Sequence, residues 1–342
     1  MMREFIKNQF VSWTFSKIPF SILGKTTQTN LIIPYYHIVS NNEVLHVNHL
    51  YDYKSIKQFK DDIDFLLKEY IPISLLDLLN FLKNDRLSPG KAFLLTFDDG
   101  FSEMHDIVAP ILLEKGIPAT FFINSAFIDN KELSYDHKAS ILAEYIQHTA
   151  FLSSREEIKG LLVKNNAGLN DIKSGILSIK YHQKDLLDEI ARLINIDFND
   201  YLLKNKPYLT SAQTKKLIED GFTIGAHSID HPLYSSLSLE DQLYQTIESV
   251  KEIREKFCLD YGAFAFPHSD NNVSKSFFTE LYNSGLVDVT FGTGGMINDS
   301  FPNNLQRFSL EKPLMPAERI IALQYARKLF KILTGKDKII RE

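Results

Sequence analysis

Residues 94–100 read Leu94-Leu95-Thr96-Phe97-Asp98-Asp99-Gly100. An apolar run rich in strand formers ends in two adjacent carboxylates and a glycine. Successive side chains of a regular strand point to opposite faces, so neighbouring aspartates could not serve one site within it. At a strand end, Gly100 lets the chain turn and both carboxylates converge. Carboxylates that close repel each other unless a cation or a shared proton separates them. The rest of the chain has to provide that cation's other ligands.

A second stretch does so: Gly221-Phe222-Thr223-Ile224-Gly225-Ala226-His227-Ser228-Ile229-Asp230-His231. A short strand-like segment again ends in polar residues, here two histidines four apart. Two neutral imidazoles and one carboxylate form a common ligand set for a catalytic divalent metal, with a fourth position open. The zincin motif shares the spacing but needs Glu after the first His and a helix beneath both. Ser228 follows His227 and Pro232 follows His231, so that reading fails.

The Thr96-Phe97-Asp98-Asp99-Gly100 run and the His227-Ser228-x-x-His231 run together resemble the first two motifs of the polysaccharide deacetylases of carbohydrate esterase family 4. Gly116–Ile123 and Leu217–Phe222 are similar to that family as well. The resemblance covers roughly residues 30–130 and 207–312. It implies a metal held by Asp99, His227 and His231, with Zn²⁺ the expected ion, and Asp98 free as the base. It also implies an irregular (β/α) barrel and hydrolysis of the N-acetyl group of an amino sugar or glycan, releasing acetate.

Composition bounds the alternatives. The 342 residues suffice for one large α/β domain or two smaller ones. A net charge of −5 argues against a nucleic-acid footprint over the whole chain. The single cysteine, Cys258, excludes an intrachain disulfide framework. No apolar run approaches bilayer-spanning length, and Lys17 interrupts the mildly apolar Phe10–Gly24 stretch without a cleavage site after it. The reading expects a cytoplasmic protein, membrane-peripheral if its termini touch a bilayer.

Seven strand-like runs alternate with helical patterns: 31–36, 92–97, 119–123, 223–226, 263–266, 287–291 and 306–310. The alternation predicts an α/β fold with a parallel sheet and helices outside; seven units suggest a closed or nearly closed seven-stranded (β/α) barrel. Sites in such barrels lie at the C-terminal strand ends, where Asp98, Asp99, His227 and His231 fall. The expected organisation is an N-terminal extension over 1–29, a barrel over 30–315 and a C-terminal basic amphipathic helix over 316–342. A helical insertion at 131–206 interrupts the barrel, either capping the cleft or decorating the fold. Tyr135, His137 and Lys138 stand near its start. Both termini mix aromatic or aliphatic residues with Lys and Arg, which suits either packing on the domain or contact with an anionic membrane surface.

Further candidates follow. His37, after the first strand, is expected to be the acid, because its pKa lies near neutrality. Phe264-Ala265-Phe266-Pro267-His268 resembles the family's third motif and is expected to line the cleft, with His268 an oxyanion donor or a second acid. The Arg that the family often carries there, paired with the catalytic carboxylate, is missing; Arg307 is the expected replacement. The expected partner is an N-acetylated sugar or glycan. The rival readings are an amidase or esterase on a non-sugar acyl group and a non-catalytic glycan-binding protein.

Overall fold

In a computed structural model, the structure describes residue 27 and residues 29–84, 90–147, 153–168 and 171–342. The N-terminal stretch carrying Phe5, Phe10, Trp13, Phe15 and Phe20 lies outside the described residues.

The central sheet is wholly parallel. Its segments are β1 (Pro34–Tyr36), β2 (Leu95–Phe97), β3 (Ala119–Ile123), β4 (Thr223–Ala226), β5 (Ala263–Ala265), β6 (Val289–Gly292), β7 (Asn304–Gln306) and β8 (Phe308–Ser309). They pair in the order β7-β6-β5-β4-β3-β2-β1-β8. Only Arg307 separates β7 from β8. The first half of this run pairs with β6 and the second with β1, so one strand with two neighbours closes the sheet into a seven-stranded barrel. The predicted last strand, 306–310, thus begins two residues earlier.

Alternation explains how the barrel is filled. Phe97, Phe121, Ile224 and Phe264 belong to the large core shared with the outer helices. Leu94, Phe122, Ala263, Ala265 and Phe291 form a separate cluster within the barrel. The runs 31–36 and 92–97 each divide in two. Their lower halves, Leu31–Ile32 and Ala92–Phe93, form a three-stranded side sheet with Ile71–Pro72, a strand the sequence pattern did not predict.

The outer helices include α1 (Ile56–Glu69) and α2 (Leu75–Lys83), started by capping boxes at Ser55 and Ser74. The insertion is helical, as predicted: α3 (Tyr135–Tyr145), α4 (Arg155–Lys164), α5 (Ile172–Leu177), α6 (Asp185–Leu193) and α7 (Phe198–Asn205). Its apolar faces pack with Ile38, Val44, Val47 and Phe101 into a core of their own over the barrel mouth. The C-terminal helix α8 (Ala317–Leu333) buries Ile320, Ile321, Tyr325 and Ala326. It is shorter than the predicted 316–342. Thr334 bonds back to Phe330 and Gly335 turns at φ 65°, after which Lys338–Ile339 pairs with Asn298–Asp299. Among the described residues, no helix is long and apolar enough to cross a membrane.

Candidate active site

The strand ends carry the chemistry. Asp98 stays in the ladder, its N–H donating to the Tyr36 carbonyl at 2.9 Å. It continues the inward alternation of Leu94 and Thr96. Asp99 would point outward, but it takes φ 73° and Gly100 φ 70°, so the chain folds back and both carboxylates face the barrel mouth. The turn expected at Gly100 therefore begins one residue earlier, in a left-handed conformation uncommon for Asp. His231 (φ 66°) and His268 (φ 54°) are held in that region too. Such strain concentrates at sites that the surrounding structure over-determines.

Asp99, His227 and His231 converge. Asp99 Oδ1 lies 3.4 Å from His227 Nε2 and 3.2 Å from His231 Nε2. His227 Nδ1 is 2.8 Å from the Ala265 carbonyl, which can only accept, so the proton sits on Nδ1 and the Nε2 lone pair faces Asp99. His231 Nδ1 is 3.3 Å from Asp136, which fixes the same tautomer. Asp99 Oδ2 accepts the Tyr51 hydroxyl at 2.9 Å, whereas Oδ1 is buried with no aligned donor. Two imidazole lone pairs and an unsatisfied carboxylate oxygen fit a divalent metal of the Zn²⁺ class. The electrostatics agree. Burial disfavours a charged His231, yet Asp99 and Asp136 outweigh this and raise its pKa to about 10, so without a metal a proton takes the place on Nε2 that a cation would fill. The spot favours positive charge.

Asp98 has a different environment. Arg307 is fully buried and grips it in a fork, Nη1 to Oδ1 at 2.7 Å and Nη2 to Oδ2 at 2.8 Å. Arg307 also bonds Thr96 and lies against the Tyr35 and Phe122 rings inside the barrel. Burial alone would raise the Asp98 pKa; Arg307 reverses this and lowers it.

His37 is clamped by Glu311, which follows β8. The Glu311 carboxylate accepts the N–H groups of His37 (2.6 Å) and Ile38 (3.2 Å) and lies 2.6 Å from His37 Nδ1. Tyr51 stacks on the His37 ring, with centroids 4.4 Å apart. Burial lowers the His37 pKa, but Glu311 more than compensates and lifts it to about 9.

These groups surround a cavity of about 310 Å³, with Tyr35, Phe266, His137 and Thr293 in its wall. His268 lines it, its Nε2 3.4 Å from Asp136. Partial burial, with 34% of the side chain still exposed, and the neighbouring His231 push the His268 pKa down to about 4, which disfavours it as an acid at neutral pH. Pro267 is buried behind it and is not among the lining residues.

Sequence reasoning missed Tyr51, Asp136 and Glu311. Asp136 lies between Tyr135 and His137 in the first turn of α3, so the insertion contributes directly to the site. The insertion is pinned there by Asp230, inside the His motif, which accepts Tyr181 Oη at 2.8 Å and Lys184 Nζ at 2.6 Å.

The sequence profile of the polysaccharide deacetylases matches residues 85–280. The chain belongs to the polysaccharide deacetylase family. Its fold is similar to solved structures that include a Streptococcus pyogenes deacetylase, PplD, in complex with acetate (14% identity, TM-score 0.57), covering 86% of this chain and 97% of that one. A de-N-acetylase from Aggregatibacter actinomycetemcomitans gives 15% and 0.54, covering 86% and 99%. IcaB from Ammonifex degensii gives 14% and 0.53, covering 87% and 97%. No curated protein matches by sequence. In this deacetylase the charge opposite Asp98 comes from the last barrel strand, while Ala265 occupies the third-motif strand.

Proposed function

We propose that the protein is a metal-dependent N-deacetylase that releases acetate from an amino sugar of a glycan. The observation that carries this reading is the buried, donor-free Asp99 Oδ1 facing two imidazole lone pairs, beside a second carboxylate that has its own arginine. Asp99, His227 and His231 would hold the metal, which when bound would lower the pKa of water and polarise the acyl oxygen. Asp98, aligned by Arg307, accepts the proton of the attacking water. His37, with Nδ1 tied to Glu311, presents Nε2 as the proton donor to the departing amine. The N–H of His268, on the cavity wall after β5, is the oxyanion donor in this scheme. A cavity of about 310 Å³ suits one or two sugar units at the mouth.

Zn²⁺-loaded protein should release acetate from N-acetylated chito-oligosaccharides or another N-acetylated sugar. Asp98→Asn should keep the metal and lose roughly 10²–10⁴ in kcat, the range for a general base. His227→Ala should lose the metal as well, read by elemental analysis. An active Asp98→Asn enzyme removes the base assignment. Protein that retains no transition metal after Zn²⁺ loading overturns the catalytic reading.

A further inference from the structure

Next to the catalytic cavity lies a second one of about 390 Å³, and Thr293 stands in the wall of both. The second is basic. Lys312 comes from the loop after β8, and Arg327, Lys328 and Lys331 come from one side of α8. Arg327, Lys328 and Lys331 are half-buried. Among the described residues none of the four forms an ion pair; Lys328 Nζ donates to Thr29 Oγ1 at 2.9 Å. Burial pushes the pKa of all three helix cations down, and Arg327 lowers that of Lys331 further. Asp337 opposes this only at Lys328. Clustering like charges away from water is unfavourable unless an anion joins them.

The backbone does not serve as the anion site. The N–H groups of Thr293, Gly294 and Gly295 already donate to Asp270, Gln306 and the Arg307 carbonyl. The catalytic cavity has the opposite polarity, with Asp98, Asp99 and Asp136 in its wall. A substrate bearing both an amide and a strong anion would place the amide there and the anion across Thr293.

We infer that the Lys312–Arg327–Lys328–Lys331 cavity is a subsite for a phosphate or diphosphate carried by the substrate sugar. The sugar identity rests on the deacetylase reading; the anion site does not. Concavity and the shared wall favour a substrate group over a flat membrane surface. Nucleotide-linked and lipid-linked sugars offer the same diphosphate chemistry.

The test uses the full-length, Zn²⁺-loaded chain, the Arg327→Gln/Lys331→Gln double variant, and Lys312→Gln on the exposed loop as a variant with little folding risk. Inorganic pyrophosphate binding is measured by calorimetry. Turnover is compared on chitotriose, a nucleoside-diphosphate N-acetylhexosamine and a detergent-solubilised polyprenyl-diphosphate N-acetylhexosamine. The double variant should lose roughly 10–100-fold in kcat/KM on a diphosphate sugar, through KM, with chitotriose within about twofold, and pyrophosphate binding should weaken by a similar factor. The diphosphate sugar that responds identifies the source. Equal losses on neutral and charged sugars, or unaltered pyrophosphate binding, overturn the inference. So does a variant that loses only its binding to anionic phosphatidylglycerol vesicles. If wild type turns over no sugar, the deacetylase reading fails, while the pyrophosphate titration still decides the subsite.

Discussion

At the scale of single residues, His37 and Glu311 act as one proton-holding unit. The His37 pKa is raised to about 9, so its acid form is present below that pH and is lost as pH rises through it. The same shift stabilises the fold fully below about pH 6.5 and less as pH climbs through the folded value. In Glu311→Gln, burial is no longer outweighed. The basic limb of the kcat/KM profile should then move towards or below about 6.5, and an unmoved limb would assign the acid elsewhere. Asp136 works through His231. Asp136→Ala should weaken Zn²⁺ affinity by about 10–100-fold, measured by competition with a chelator. Asp98, Asp99, His227 and His231 could be read from the sequence because they form two polar clusters, one after each of the strands β2 and β4. Asp136 could not: an acid in the first turn of a helix reads as a favourable partner for the helix dipole. Glu311 and Tyr51 reach the site from loops, whose approach is set by packing that no local pattern encodes.

At the scale of elements, the segment after α8 anchors loops of the mouth. The Arg341 side chain is buried between Asp270 and Asp299, and Asp270 also accepts the N–H of Thr293, the residue between the two cavities. Arg341→Ala leaves two buried carboxylates unpaired. It should cost about 3–5 kcal/mol in denaturant unfolding, and a loss under about 1 kcal/mol would show that water reaches the acids. The alternation of strands and helices predicted the barrel elements. The side strand Ile71–Pro72 and the pairing of Lys338–Ile339 with Asn298–Asp299 are two-residue contacts, too short for any periodicity to show.

For the whole molecule, closure of the barrel and the pairing of Asp98 depend on one residue. Arg307 separates the half-strand bound to β6 from the half-strand bound to β1, and its guanidinium fills the interior beneath Asp98. Arg307→Met keeps the volume and removes the charge. It should cost about 3–5 kcal/mol of stability together with most of kcat; a stable but inactive variant would confine the arginine to aligning the base. Ribosomal synthesis is vectorial, and Arg307 emerges 209 residues after Asp98. Through that interval the nascent chain can build most of its sheet, but it lacks the arginine that pairs with the aspartate. Burying that carboxylate early is penalised, so the barrel should stay open at this seam until the last strand arrives. Incomplete polypeptides should therefore lack the paired Asp98 on which the proposed hydrolysis depends.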